Sequence, residues 1–323
     1  MKTMNGILKN RSLCAFCLML LTLVFCSCKS RSGSSVVPSE PDPVETSVVI
    51  NTLWGGNVPA GVGNLSFYFY PAGGGTAIVQ TGVSSSGFSG ILSPGKYKVL
   101  AWNAGASNVE AVGMESYETA AVAAKSLPAA RSGQSAGLGE PAAVYAFRGE
   151  IEAKEGMSST FSLTADPLTQ TVSMQVKNST GLDLKSVGCS FPGIILGRYL
   201  SRTKAEKPYK DEDMGTQPVS GAFKDDVAEL TFRTFGVFNP ASNPELADSP
   251  LLLTLEPGDG QEPLKTEIAG FGKLLGDILG EDDFLTGVKL DVALELKDDG
   301  KGDIAITVGG QEWKEHDKEI VIE

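Results

Sequence analysis

Hydrophobic and polar positions alternate with a period of two along much of this chain. In LSFYFY (65–70), Leu65, Phe67 and Phe69 share one face, and Ser66, Tyr68 and Tyr70 share the other. That spacing predicts an extended strand, whose successive side chains point to opposite sides. Pro71 and Gly73 to Gly75 end it. After a Pro94-Gly95 turn, Tyr97, Val99 and Ala101 alternate with Lys96, Lys98 and Leu100. Val172, Met174 and Val176 alternate with Ser173 and Gln175. Val288, Leu290, Val292, Leu294 and Leu296 form another such face, and the turn KDDGKGD after it leads into IAITV (304–308), which predicts a hairpin. TSVVINTLW (46–54), VAELTFRTFGVF (227–238) and PLLLTL (250–255) supply further strands.

Only one stretch changes period. In PLKTEIAGFGKLLGDIL, residues Leu264, Ile268, Phe271, Leu275, Ile278 and Leu279 fall on one helical stripe, with Pro263 at a permitted first position. This predicts an amphipathic helix over 263–279, weakened by three internal glycines at about 1 kcal/mol each. Gly 38 and Pro 17 are high for a helical protein and suit short strands joined by tight turns. The expected fold class is therefore all-β: two tandem antiparallel β-sandwiches, over 46–155 and 156–323, with the helix in the second.

The N-terminus follows a different rule. Lys2, Lys9 and Arg11 precede an apolar run from Leu13 to Cys26, about 14 residues long and so short of the roughly 20 that span a bilayer as a helix. This reads as a secretory signal peptide, over 1–27. Small Ser27 precedes Cys28, whereas bulky Phe25 precedes Cys26. Cys28 is thus the expected first residue of a mature lipoprotein, carrying acyl chains of the palmitate kind; diacylation supplies the two membrane signals that stable anchoring needs. Cys14, Cys17 and Cys26 leave with the signal, so the body retains only Cys189, which can form no intramolecular disulfide. Residues 28–45 carry prolines and serines and little to bury, which predicts a flexible tether. Fully extended, it reaches roughly 55 Å.

Charge narrows the partners. The whole chain has a formal net charge of −12, and removing the basic signal makes it more negative still. An acidic surface repels phosphate backbones, so nucleic acid is not an expected partner. Catalytic chemistry is scarce. His316, the only histidine, sits in the charged run KEHDKE, and no phosphate-binding loop is present. Asp298, Asp299 and Asp303 cluster around glycines but lack the spacing and closing glutamate of a calcium loop. Paired carboxylates for glycoside hydrolysis remain open in principle, but no acid sits in a setting that would raise its pKa. The expectation is no enzyme, no metal and no cofactor. Trp54, Trp102 and Trp313 offer an alternative, a polysaccharide partner stacked on exposed rings, although burial suits large aromatics better.

The order of several stretches adds a family resemblance. LSFYFYPAGGG followed by LSPGKYKVLAWN, after a lipoprotein signal, resembles Bacteroidales lipoproteins related to fimbrillins and fimbrial anchors. Phe69, Tyr70, Pro71, Gly73, Pro94, Gly95, Tyr97 and Asn103 stand at that family's strand-turn and hairpin positions. ADPLTQTVSMQVKN resembles the strand opening its second domain, and VGGQEWKEHDKEIVIE its closing strand. The resemblance implies transthyretin-like sandwiches, an outer-membrane location, and assembly with fimbrial subunits by strand complementation after an arginine-specific protease removes an early strand. This chain has no arginine between Ser32 and Ala130, and Arg131 lies in an expected exposed loop. Within the family that favours an uncut anchor or terminal subunit. The residues after Cys28 read KSRSGSS where surface-exported members carry acids, so the membrane face stays open.

Overall fold

Strand-forming patterns recur about every ten residues, and the computed structural model is built almost wholly of them. It describes residues 46–127, 137–203, 206–239, 246, 248–258, 260–268, 270–273, 275, 284–285, 290–298 and 304–309. The first ten strands are β1 (Thr46–Leu53), β2 (Leu65–Pro71), β3 (Ile78–Val83), β4 (Gly87–Leu92), β5 (Gly95–Trp102), β6 (Val109–Val112), β7 (Ala121–Ala124), β8 (Tyr145–Ala153), β9 (Ser159–Thr164) and β10 (Asp166–Pro167). The second ten are β11 (Gln170–Ser179), β12 (Leu184–Tyr199), β13 (Tyr209–Lys224), β14 (Val227–Thr234), β15 (Val237–Phe238), β16 (Leu251–Pro257), β17 (Leu264–Ile268), β18 (Phe284–Leu285), β19 (Leu290–Asp298) and β20 (Ile304–Gly309). The all-β sandwich class expected from the alternation is the observed one.

In the first sandwich a three-stranded sheet, β4-β1-β9, faces a five-stranded sheet, β10-β8-β5-β2-β3. Between them lie Val48, Ile50, Leu65, Phe67, Phe69, Phe88, Val99, Ala101, Phe147 and Leu163. The Leu65-Phe67-Phe69 face read from the sequence is this core, and each such side chain contributes roughly 1.5–3 kcal/mol by leaving water. β4 and β5 flank the Pro94-Gly95 turn without pairing: β4 bonds to β1 and β5 to β2 and β8, so the turn carries the chain between sheets instead of closing a hairpin. β9 lies beyond Glu155 and pairs with β1 of this first sandwich.

The five-stranded sheet is covered on its other face too. Tyr70, Leu100, Trp102 and Ala146 meet Val109, Ala120, Val122, Ala124 and Leu138 from the long connection between β5 and β8. That connection forms the β6–β7 hairpin, and β7 extends into the second sandwich by pairing with the end of β12, Val122 opposite Arg198. The hydrophobic cluster then continues without a break into the second core. Both sandwiches belong to a single compact unit that starts at Pro43.

The second sandwich is ordered β17-β16-β12-β13-β14-β11-β19-β20. β12 and β13, with 16 residues each, are long enough to serve several partners. β12 shifts register between Phe191 and Ile194, where Pro192 and Gly193 interrupt the ladder. Such a bulge bends a strand and re-aims the side chains beyond it. Val172, Met174 and Val176 of β11, Leu230 and Phe232 of β14, and Leu251, Leu253 and Leu255 of β16 fill the interior. Phe191 touches Phe232 at 5.3 Å and Phe271 at 5.5 Å between ring centroids. The β19–β20 hairpin expected after VALEL is present.

The helix expected over 263–279 is corrected at 264–268, while Ile278 and Leu279 lie outside the described residues. Leu264–Ile268 is strand β17, paired with Leu251–Leu255 of β16. Gly270 then turns with φ 65° and residues 271–273 and 275 are helical. Ile268, Phe271 and Leu275 are buried as the stripe required, but Leu264 is exposed. Pairing with the free edge of β16 satisfies the backbone of 264–268 and still buries Ile268.

At Gly197 strand β12 runs close against β7. A Cβ there would collide with the Val122 carbonyl of β7. By contrast, a Cβ at Gly188 in the same strand would meet nothing nearer than 3.7 Å. Gly197→Val is expected to lower stability by about 1–3 kcal/mol in urea unfolding, and Gly188→Ala to leave it nearly unchanged. Equal effects would contradict the close β7–β12 approach.

Candidate functional site

β1 is the first element after the expected tether, and it is the centre strand of its sheet. Its sequence TSVVINTL alternates so that Val48 and Ile50 are buried while Ser47 and Asn51 face solvent. β4 pairs with it antiparallel, from Thr46 opposite Leu92 to Asn51 opposite Gly87. β9 pairs with it in parallel, from Val48 opposite Ser159 to Leu53 opposite Thr164. Both rows of backbone donors and acceptors are thus used, which is what a strand needs when its surroundings exclude water.

Side chains fix both ends of β1. At its start, the buried Thr46 hydroxyl donates to the Lys154 carbonyl at 3.1 Å. At its finish, the Thr52 hydroxyl and the Trp54 indole N–H both donate to the Ser85 carbonyl, the latter at 2.8 Å. Trp54 also packs edge-on against Phe147, at 4.9 Å, and Tyr145, at 5.4 Å. Gly87 permits the close approach of β4, since a Cβ there would collide with the Ile50 carbonyl.

The residues that carry the family resemblance have structural duties. Tyr97 donates its hydroxyl to the Ser93 carbonyl across the Pro94-Gly95 turn, at 2.9 Å. Asn103 is buried; its amide donates to the Ala143 carbonyl at 2.7 Å and its oxygen accepts from the Tyr145 N–H at 2.8 Å. It thereby locks the start of β8 onto the end of β5. Tyr70 donates to the Met114 carbonyl at 3.0 Å, and burial raises its phenol well above the ordinary range. Phe69 lies in the first core.

A charged seam joins the two sandwiches. Arg148 of β8 pairs with Asp166 of β10 at 2.6 Å and donates to the Leu200 carbonyl, just past β12, at 3.1 Å. Arg198 of β12 is buried and donates to the Phe235 carbonyl at 3.1 Å. Burial lowers its guanidinium to about 10, with the Asp166 carboxylate acting in the opposite direction. Sequence reasoning missed this cluster because its members are 18 to 52 positions apart and follow no motif.

Other expected positions fall as follows. Trp102 is buried, with 4% of its surface exposed, so it offers no ring to a sugar. Trp54 is half-buried in the edge-on packing above. Cys189 is buried, and desolvation pushes its thiol up to about 12. Asp298 ends β19. Cys28, Arg131, Asp299, Asp303, Trp313 and His316 lie outside the described residues. Among the described residues no group of three or more His, Cys, Asp or Glu is placed to hold a metal, and no helix is long and apolar enough to cross a membrane.

No family model matches the chain. No curated protein matches it either. Solved structures do. A candidate adhesin of Bacteroides ovatus ATCC 8483 is 17% identical over 82% of this chain and 98% of its own, with a TM-score of 0.53. A second candidate adhesin of Bacteroides ovatus is 10% identical over 86% of this chain and 95% of its own, with a TM-score of 0.50. A looser match, 16% identical over 82% of this chain and 98% of its own with a TM-score of 0.47, is the fimbrial anchor protein Mfa2 of Porphyromonas gingivalis. The chain has the fold of the two Bacteroides ovatus adhesin candidates.

Asp166→Asn removes the carboxylate from two partly buried or buried guanidinium groups. It is expected to cost about 1–3 kcal/mol in urea unfolding. An unchanged midpoint would mean that the seam does not hold the sandwiches together.

Proposed function

We propose that this protein is a lipid-anchored, fimbrillin-like structural subunit of the outer membrane, standing at the anchor or terminal position of a surface fimbria. The observation that carries the reading is the placement of β1. The strand that succeeds the tether is stitched into its sheet on both sides, from Thr46 to Leu53. With no arginine between Ser32 and Ala130, an arginine-specific protease cannot cut β1 away from the strands that follow it, since a cut at Arg131 would take β1 through β7 together. A subunit that keeps its first strand offers no groove there to a neighbour's strand, and its lipid at Cys28 holds one end at the membrane.

The shared fold with adhesin candidates supports a role in adhesion or filament structure. Fimbrial subunits are the proposed partners, joined by strand complementation, in which backbone ladders supply affinity and alternate side chains supply specificity. Strand β3 suits the accepting role. It is paired with β2 along one side and ends its sheet, and its sequence IVQTGV has neither charge nor proline to deter an added strand. A polysaccharide partner is the weaker reading, because Trp102 is inside the protein.

Gold-labelled antibody against this protein, applied to intact native cells and viewed by electron microscopy, tests the proposal. Gold at filament bases or ends is expected. Gold that appears only after the outer membrane is permeabilised would contradict it.

A further inference from the structure

The geometry points to β1 as a mechanical clamp: a strand whose register resists load arriving from the tether. Where that load comes from rests on the anchor reading, in which the lipid at Cys28 holds one end while the filament is pulled from another.

A pull on the tether enters β1 at Thr46 and acts along the strand. Ladder hydrogen bonds run across strands, perpendicular to them in antiparallel pairs and slanted in parallel ones. A load along the strand therefore strains all the bonds of a ladder together, whereas a sideways load opens them one by one. β1 presents two ladders to such a load, six registered residue pairs with β4 and six with β9.

Sliding is opposed by packing as well. A slip of one residue turns every side chain to the other face. It would drive Ser47 and Asn51 into the core and expose Val48 and Ile50, which are 0% and 1% exposed. The far end of the strand is held too. Trp54 is fixed between the Ser85 carbonyl and the Phe147 ring, and the Ala165 N–H donates to the Leu53 carbonyl at 2.7 Å.

The parallel pairing of β1 and β9 permits a direct test in which only the direction of load changes. The unacylated mature chain offers Cys28 as a thiol handle, since Cys189 is buried and its thiol is pushed up to about 12. A second handle is placed either at Met157→Cys, in the turn before β9, or at Thr164→Cys, at the far end of β9. Both positions are solvent-facing. Pulling between Cys28 and position 157 separates β1 and β9 from their neighbouring ends and breaks bonds in turn. Pulling between Cys28 and position 164 draws the strands past one another and loads the ladder at once. In single-molecule force spectroscopy at equal loading rate, the 28–164 chain is expected to rupture at no less than about twice the force of the 28–157 chain, with equal urea midpoints for the two proteins. Equal rupture forces would overturn the clamp. The result does not depend on where the protein sits in the cell, so the clamp and the anchor reading can fail separately.

Discussion

The two backbone ladders of β1 are the interaction on which the first sandwich depends. β4 and β9 meet no common partner but β1, so the three-stranded sheet exists only while that strand is in place. Val48 and Ile50 of the same strand close one side of the core formed by Phe67, Phe69, Phe88 and Phe147. Loss of β1 would therefore leave two strands unpaired and open an aromatic core to water. Pairing β1 with β9, from Val48 opposite Ser159 to Leu53 opposite Thr164, spans more than 100 intervening residues, so β1 is bound to the folding of the whole first sandwich.

The second constraint is that the five-stranded sheet buries side chains on both faces, although Lys96, Glu150 and Glu152 on its outer face stay exposed. One side packs on the β1 sheet and the other on the β6–β7 hairpin, which itself enters the second sandwich through β12. Gly197 allows that entry by removing the Cβ that would strike Val122. Arg148, Asp166 and Arg198 tie the same region together with charged hydrogen bonds in a partly dry setting, where leaving any one of them unmatched is costly. The two sandwiches are thus joined by strand pairing, apolar contact and charge.

Much of this was legible in the sequence where one residue type dominated a face. Leu65, Phe67 and Phe69, then Val172, Met174 and Val176, declared their strands because each face is uniformly apolar. β12 and β13 were hidden by Pro192, Gly197, Gly215 and Pro218, which look like strand breakers. Two of them instead serve a bulge at β12 and the close approach to β7. The 264–268 segment was misread because Leu264, Ile268, Phe271 and Leu275 fit a helical stripe, and only the open edge of β16 decides for a strand. The ties at the ends of β1 could not be seen at all, since Lys154 and Ser85 contribute carbonyl groups that any residue could supply.

The central claim is that β1 stays covalently joined to a membrane-held N-terminus. Mass spectrometry of the protein taken from native outer membranes, intact and after digestion, measures this directly. A single chain that begins at acylated Cys28 and runs unbroken through Thr46–Leu53 is the expected result. A chain that begins beyond Leu53, or a Cys28 without lipid, would contradict it.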